Sequence, residues 1–174
     1  MAGRAPRRVP ARAAAPPTAR FAVVAARFHE AISKKLVDGA LGALGEHRVA
    51  AEAVEVHWVP GTFELPQAAL ALATSGRYAA LVCVGVVIRG ATPHFEHLSR
   101  EAAAGIRQVA LSTGVPVTFG VITALSEAQA WERAGGAVGN RGEDAALAAL
   151  EMVDFLARVR SGARSSPRRR TPRG

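Results

Sequence analysis

In the segment VGVVIRGATPHFEHLSREAA, residues 84–103, an aliphatic stretch runs into Arg89, Gly90, Ala91, Thr92, Pro93 and His94. Backbone donors, a hydroxyl and an imidazole thus follow one another at what reads as a strand-to-helix turn. Gly90 permits a tight turn, Thr92 suits a helix N-cap and Pro93 suits the first helical turn, so free N–H groups are expected here. Such a terminus attracts anions, phosphate foremost; the segment is neither a G-x-G-x-x-G nor a Walker loop, and a plain capped turn would read the same way. The helix dipole favours a neutral, proton-accepting His94, whereas a bound phosphate would oppose that. His97 can share a face with His94, but no carboxylate or cysteine at metal-ligand spacing accompanies the pair, and no metal is expected.

Four further pieces are candidates for chemistry. VPGTFELP, residues 59–66, puts Gly61 and Thr62 in a turn and Glu64 at a helix start, as a complement to the dipole or an acceptor for substrate hydroxyls. Phe28 lies just past an aliphatic run, where it either packs in the core or stacks on a planar ligand. Arg133 ends a short helix and Arg141 begins the next region; each is a surface charge or an anion ligand. Phe119 falls inside a strand, with core as its default place. These residues describe an α/β protein with an anion- and hydroxyl-binding rim.

The elements that must position them alternate. Residues 21–26, 54–61, 79–88 and 116–124 read as strands, and 30–45, 64–75, 93–112, 126–134 and 141–159 as helices, with Gly45 stopping the first. Nearly continuous aliphatic strands separated by helices predict a parallel sheet buried on both faces, hence a three-layer α/β sandwich with four central strands. In such sheets ligands bind beyond the carboxyl ends of the strands, which gathers residues 27–30, 60–64, 89–94 and those after Thr123 at one rim. The last helix has Leu147, Leu150, Val153 and Leu156 on one side and Met152, Phe155 and Val159 on others, a wide apolar surface that calls for an oligomeric partner or a thick core.

With 174 residues a single domain is expected. The net charge of +8 belongs to the ends: residues 1–20 hold five arginines and 158–174 hold seven, with no acid in either, while 21–157 carry ten basic and fourteen acidic residues. The folded domain is therefore expected over 21–157 between two basic, disordered extensions, 1–20 and 158–174. Nucleic-acid binding would have to rest on those arginines alone, without sequence preference, and is not expected of the acidic centre. Prolines at 6, 10, 16 and 17 disfavour an amphipathic transit peptide, no run reaches the ~18 apolar residues of a membrane span, and the lone Cys83 fits a reducing, cytoplasmic setting.

VPGTFELP, GVVIRGATPHFEH, PVTFGVIT, EAQAWERAG and GNRGEDAA, in this order over residues 20–157, closely resemble the lumazine synthase family. The resemblance implies a flavodoxin-like fold and a transferase of riboflavin biosynthesis, working at its penultimate step. The reaction condenses 5-amino-6-(D-ribitylamino)uracil with 3,4-dihydroxy-2-butanone 4-phosphate to 6,7-dimethyl-8-ribityllumazine, phosphate and water, with no cofactor or metal. Matched residue by residue, Phe28 is the aromatic that stacks on the pyrimidine, and Gly61, Thr62 and Glu64 form the turn that holds ribityl hydroxyls. Val87 and Ile88 present backbone to the uracil edge; Gly90, Ala91 and Thr92 belong to the phosphate cradle, with Arg133. His94 transfers protons, and Phe119 enters the site of an adjacent subunit. His29 replaces a common asparagine, and Arg141 the usual lysine; a planar fork is not geometrically equivalent to an ammonium. The resemblance further implies a homopentamer with its active site at the subunit interface. In some members twelve pentamers form an icosahedral shell, and AGGAVGNRG, lacking an insertion, resembles those. A catalytically inactive shell or scaffold protein of the same fold is the alternative.

Overall fold

The computed structural model describes residues 15–164. Four parallel strands, β1 (Phe21–Ala26), β2 (Val54–Val59), β3 (Ala80–Ile88) and β4 (Val117–Ala124), form a sheet in the order β2-β1-β3-β4. Helices α1 (Glu30–Glu46) and α5 (Arg141–Arg164) pack together on one face, and α2 (Leu65–Thr74) and α3 (His94–Thr113) on the other. The three-layer α/β architecture is the expected one, and the order 2-1-3-4 is that of flavodoxin-like sheets.

Both faces of the sheet are covered, which is why β1 is an unbroken run of buried residues. Its side chains still alternate. Phe21, Val23 and Ala25, with Val82 and Val84 of β3, meet Leu36, Leu44 and Leu150 of α1 and α5. Ala22 and Val24, with Leu81 and Cys83, meet Leu65 and Ile106 of α2 and α3. Each large aliphatic buried in this way contributes roughly 1.5–3 kcal/mol. Burial pushes the Cys83 thiol up to about 12, which leaves it a core residue rather than a nucleophile.

Where the elements stop is less regular. α1 does not end at Gly45; it continues through Glu46, and the left-handed residue that turns the chain is Arg48 (φ 64), with the Val49 N–H donating to the Leu44 carbonyl. α3 ends at a glycine as such ends commonly do: Gly114 (φ 70) donates its N–H to Ala110. A 3-10 turn at Ala51–Ala53, a short α4 (Glu127–Glu132) and a small antiparallel hairpin, β5 (Ala134–Gly136) and β6 (Gly139–Asn140), complete the chain; the turn and the hairpin were not expected. On α5, Leu150 and Val153 are buried as expected, whereas Met152, Phe155 and Val159 are exposed.

Two stretches expected to be disordered are in part built. Ala19 is buried, and the Arg20 guanidinium donates to Glu55 at 2.6 Å, at the amino end of the sheet. The Tyr78 hydroxyl also donates to Glu55, at 2.5 Å, and Arg77 lies 3.8 Å away. These bonds, Tyr78 first and Arg20 next, hold the Glu55 carboxyl down at about 2; burial, then the Glu55 bond, pushes the Tyr78 phenol up. At the other end α5 runs to Arg164 rather than stopping near 159, with Arg158 in an ion pair with Asp154 one turn back, Nε to Oδ2 2.9 Å. The remaining parts of the expected extensions, 1–14 and 165–174, lie outside the described residues.

Candidate active site

Chain progression across the sheet reverses between β1 and β3, the place where sheets of this class open a crevice at their carboxyl ends. A cleft of about 650 Å³ lies there. The ladder between β1 and β2 continues past both strands, with the Arg27 N–H donating to Val59 (2.8 Å) and the Phe28 N–H to Pro60 (3.1 Å). Phe28 is thereby held at the cleft wall with 68% of its surface exposed, placed to meet a ligand rather than the core. His29 follows in the left-handed region (φ 58) and its ring meets that of Phe28 edge-on at 4.8 Å. Asparagine and histidine are among the few residues enriched in that conformation, so the backbone here tolerates both.

From β2 the chain enters the turn Gly61, Thr62 and Glu64, all lining the cleft. Thr62 is 4% exposed, and the reason lies on β3: a Cβ at Gly85 would stand 2.9 Å from the Thr62 methyl. Glycine inside a strand marks a close approach, and Gly85 is the signal in the sequence that went unread. Glu64 is the N-cap residue of α2; its carboxylate lies over Gly61, 3.2 Å from where a Cβ would be, and has no hydrogen-bond or ion-pair partner among the described residues.

β3 ends in Val87 and Ile88 at the cleft wall, and Gly90, Thr92 and His94 line its mouth, with Ala91 exposed in the same turn. Two local expectations fail. Pro93, not Thr92, occupies the N-cap of α3, with no side-chain cap bond; Pro93 fixes a helical φ of −63°, so the helical turn begins without help from the hydroxyl. Gly90 has no positive φ and nothing within 4 Å of a Cβ position, so neither the turn nor the packing of this chain requires glycine there. His97 and Glu101 also line the cleft, one and two turns along α3 from His94. Glu101 was missed, although its i+4 spacing from His97 puts it on the same helix face. Among the described residues, no group of three or more His, Cys, Asp or Glu could hold a metal ion.

Phe119, Arg133 and Arg141 do not line this cleft. The stretch after Thr123 begins at the same rim, where the Arg89 N–H donates to the Ala124 carbonyl at 2.9 Å, but it does not line the cleft, because β4 is the edge strand and α4 with its hairpin turns toward α1 on the opposite face of the sheet. Phe119 is 42% exposed on β4 and so is not a core residue. Its neighbour Gly120 faces the other way, where a Cβ would stand 3.0 Å from the Arg141 carbonyl. The hairpin closes on the two arginines: the Arg141 N–H donates to the Arg133 carbonyl at 2.9 Å. Arg133 donates to the Gln129 carbonyl at 2.9 Å and lies 3.6 Å from Glu132, and Arg141 pairs with Asp144 at 2.8 Å.

No helix among the described residues is long and apolar enough to cross a membrane. The model of one family, described as 6,7-dimethyl-8-ribityllumazine synthase, matches residues 18–157. That span takes in the whole sheet, the cleft at its carboxyl end and both flank arginines, and the chain belongs to the 6,7-dimethyl-8-ribityllumazine synthase family.

Proposed function

We propose that this chain condenses 5-amino-6-(D-ribitylamino)uracil with 3,4-dihydroxy-2-butanone 4-phosphate to give 6,7-dimethyl-8-ribityllumazine, inorganic phosphate and water, in the cytoplasm. The observation that carries the reading is the convergence on one cleft of an exposed aromatic, an unpartnered carboxylate and a histidine-bearing turn. The volume suits a small molecule bound over most of its surface. Phe28 stacks on the pyrimidine, the backbone at Val87 and Ile88 reads its edge, and the Gly61, Thr62 and Glu64 turn takes the ribityl hydroxyls. The substrate amine attacks the ketone and water leaves as the imine forms. Loss of a C–H proton then accompanies departure of phosphate, and a second amine–carbonyl condensation closes the ring with loss of another water. His94 is the group placed to carry these protons, and Gly90, Ala91 and Thr92 form one side of the phosphate cradle.

Phe119, Arg133 and Arg141 complete the site from a second copy, because they stand on the β4 flank and not around their own chain's cleft. A closed homopentamer, in which each flank meets the next cleft head to tail, satisfies this geometry. The exposed Met152, Phe155 and Val159 of α5 supply apolar surface for such an assembly. A sixty-subunit shell is the larger assembly open to the family, and light scattering separates the two.

The deciding experiment mixes both substrates with the purified protein and follows lumazine absorbance and fluorescence. Turnover well above the uncatalysed condensation is expected; its absence would leave the inactive-scaffold reading in place. His94→Ala is expected to lower kcat by about tenfold without abolishing it, since the substrates react unaided. Unchanged kcat would remove His94 from proton transfer.

A further inference from the structure

Asparagine 140 lies outside the cleft, yet its side chain is bonded at both ends across the fold. Its Nδ2 donates to the Lys35 carbonyl of α1 at 2.8 Å. Its Oδ1 accepts from the N–H groups of Gly142 (2.8 Å) and Glu143 (3.3 Å) in the first turn of α5. The second pair of bonds is what an N-cap asparagine does anywhere; the first is not, because it fixes the cap to a different helix. Asn140 is also the last residue of the hairpin, opposite Ala134, and lies between that strand and Arg141. One amide group therefore locks α1, the hairpin and the start of α5 into a single register.

Two glycines are shaped to this contact. A Cβ at Gly39 would stand 2.3 Å from the Asn140 Cγ, and one at Gly142 would stand 1.9 Å from the Leu36 carbonyl oxygen. Glycine inside a helix is unfavourable for its conformational freedom, so Gly39 within α1 calls for a local cause. Gly42 and Gly45 of the same helix have nothing within 4 Å and offer none. At Gly39 the cause is room for the asparagine amide.

We infer that Asn140 is a positioning residue that sets the spacing of Arg133 and Arg141 for anion recognition, an inference that rests on the reading above that both arginines complete the site of a second copy, where Arg133 belongs to the phosphate cradle and Arg141 stands beside it as a second anion ligand. The two guanidinium groups are carried by a backbone joined at the Arg141 N–H to Arg133 carbonyl bond, and Asn140 is the adjoining link that ties this pair to α1. Without it each arginine keeps its charge but loses a common frame, and a phosphate that needs both loses affinity while a ring stacked on Phe28 does not.

The test uses the full-length oligomer and the variants Asn140→Ala, Asn140→Ser and Gly39→Ala, with Gly42→Ala as a control and thermal melts to establish folding. Asn140→Ser keeps a neutral cap acceptor but is too short to donate to Lys35, so it isolates the bond to α1 without adding charge beside Arg141 even if Asn140→Ala folds poorly; Gly39→Ala crowds the amide without altering it. Inorganic phosphate affinity is measured by calorimetry, and KM for each substrate by lumazine formation. The three variants are expected to weaken phosphate binding and raise KM for the phosphate-bearing substrate by about tenfold, with KM for the pyrimidine changed less than about twofold and Gly42→Ala like the parent. Equal phosphate affinity in all folded proteins, including none in any, overturns the inference whether or not the parent turns over. Equal rises in both KM values overturn it too, because they report general loosening. A parent that binds phosphate but forms no lumazine overturns the proposed reaction and leaves the inference to be decided by the phosphate series.

Discussion

The cleft at the carboxyl end of β1, β2 and β3 and the flank beside β4 are built in opposite ways. The cleft is held from beneath by packed strands, and its polar group of greatest interest, the Glu64 carboxylate, has no partner within the described residues. The flank is held by a helix cap and a short hairpin, and its arginines are already engaged: Arg141 by Asp144, Arg133 by Gln129 and Glu132. An open cavity with unspent hydrogen-bonding capacity is a place for a ligand to enter. A surface with its charges resting on exposed carboxylates is one that can exchange them, because exposed ion pairs contribute only about 0–1 kcal/mol. A single copy does not bring the two regions together, and under the function proposed above they are halves of one site.

The sharpest way to break that reading is to damage one half in each of two chains. Phe28→Ala/His94→Ala and Arg133→Ala/Arg141→Ala are each expected to lose about 100-fold in activity as homo-oligomers. After co-refolding in equal amounts, about one quarter of the head-to-tail interfaces pair an intact cleft with an intact flank, and about that share of parental turnover should return. No recovery in particles shown to be mixed would assign both halves to one chain. Arg133→Ala alone is expected to raise KM for the phosphate-bearing substrate by about 30-fold, the worth of one charge-assisted contact, and to affect the pyrimidine far less. Equal effects on both substrates would blur the two halves. Phe28→Ala should do the converse on a smaller scale, raising KM for the pyrimidine about tenfold through lost stacking, and a shift in the phosphate substrate instead would exchange their roles.

The smallest effect lies outside both halves. Glu55 is held at about 2 against an ordinary 4.5 by Tyr78 and Arg20. A depressed folded value gives stability that is complete above about pH 4.5 and lost as the pH falls toward 2. Glu55→Gln should therefore lower Tm at pH 7 and converge on the parent near pH 2, with kcat and both KM values unchanged at neutral pH. A Tm difference that stays constant across this range would show that the carboxylate charge is not what matters.

Most of this arrangement is legible in the letters because it is periodic. FAVVAA and ALVCVGVVI can only be strands covered on both faces, and the strand ends bring Phe28, Thr62, Glu64 and His94 to one rim by topology alone. What is not periodic was harder to read. The hairpin in AGGAVGN is two and three residues to a strand, too short for alternation to register. Phe119 looks like core in PVTFGVIT because β4 cannot be known as an edge strand until the order of the sheet is known. Thr92 suggests a cap by its chemistry, whereas the fixed backbone of Pro93 supplies the helix start without it. The separation of Arg133 and Arg141 from the cleft depends on which face α4 turns to, a matter of packing against α1 that no local pattern encodes.

The ties from Arg20 to Glu55 and from the Arg20 carbonyl to the Ala79 N–H fasten the chain at the amino end of the sheet. The six residues of β1 then separate that point from the cleft by about 20 Å. A partner protein joined directly at residue 15 is therefore held at the end of the sheet opposite the cleft and is expected to leave the cleft open.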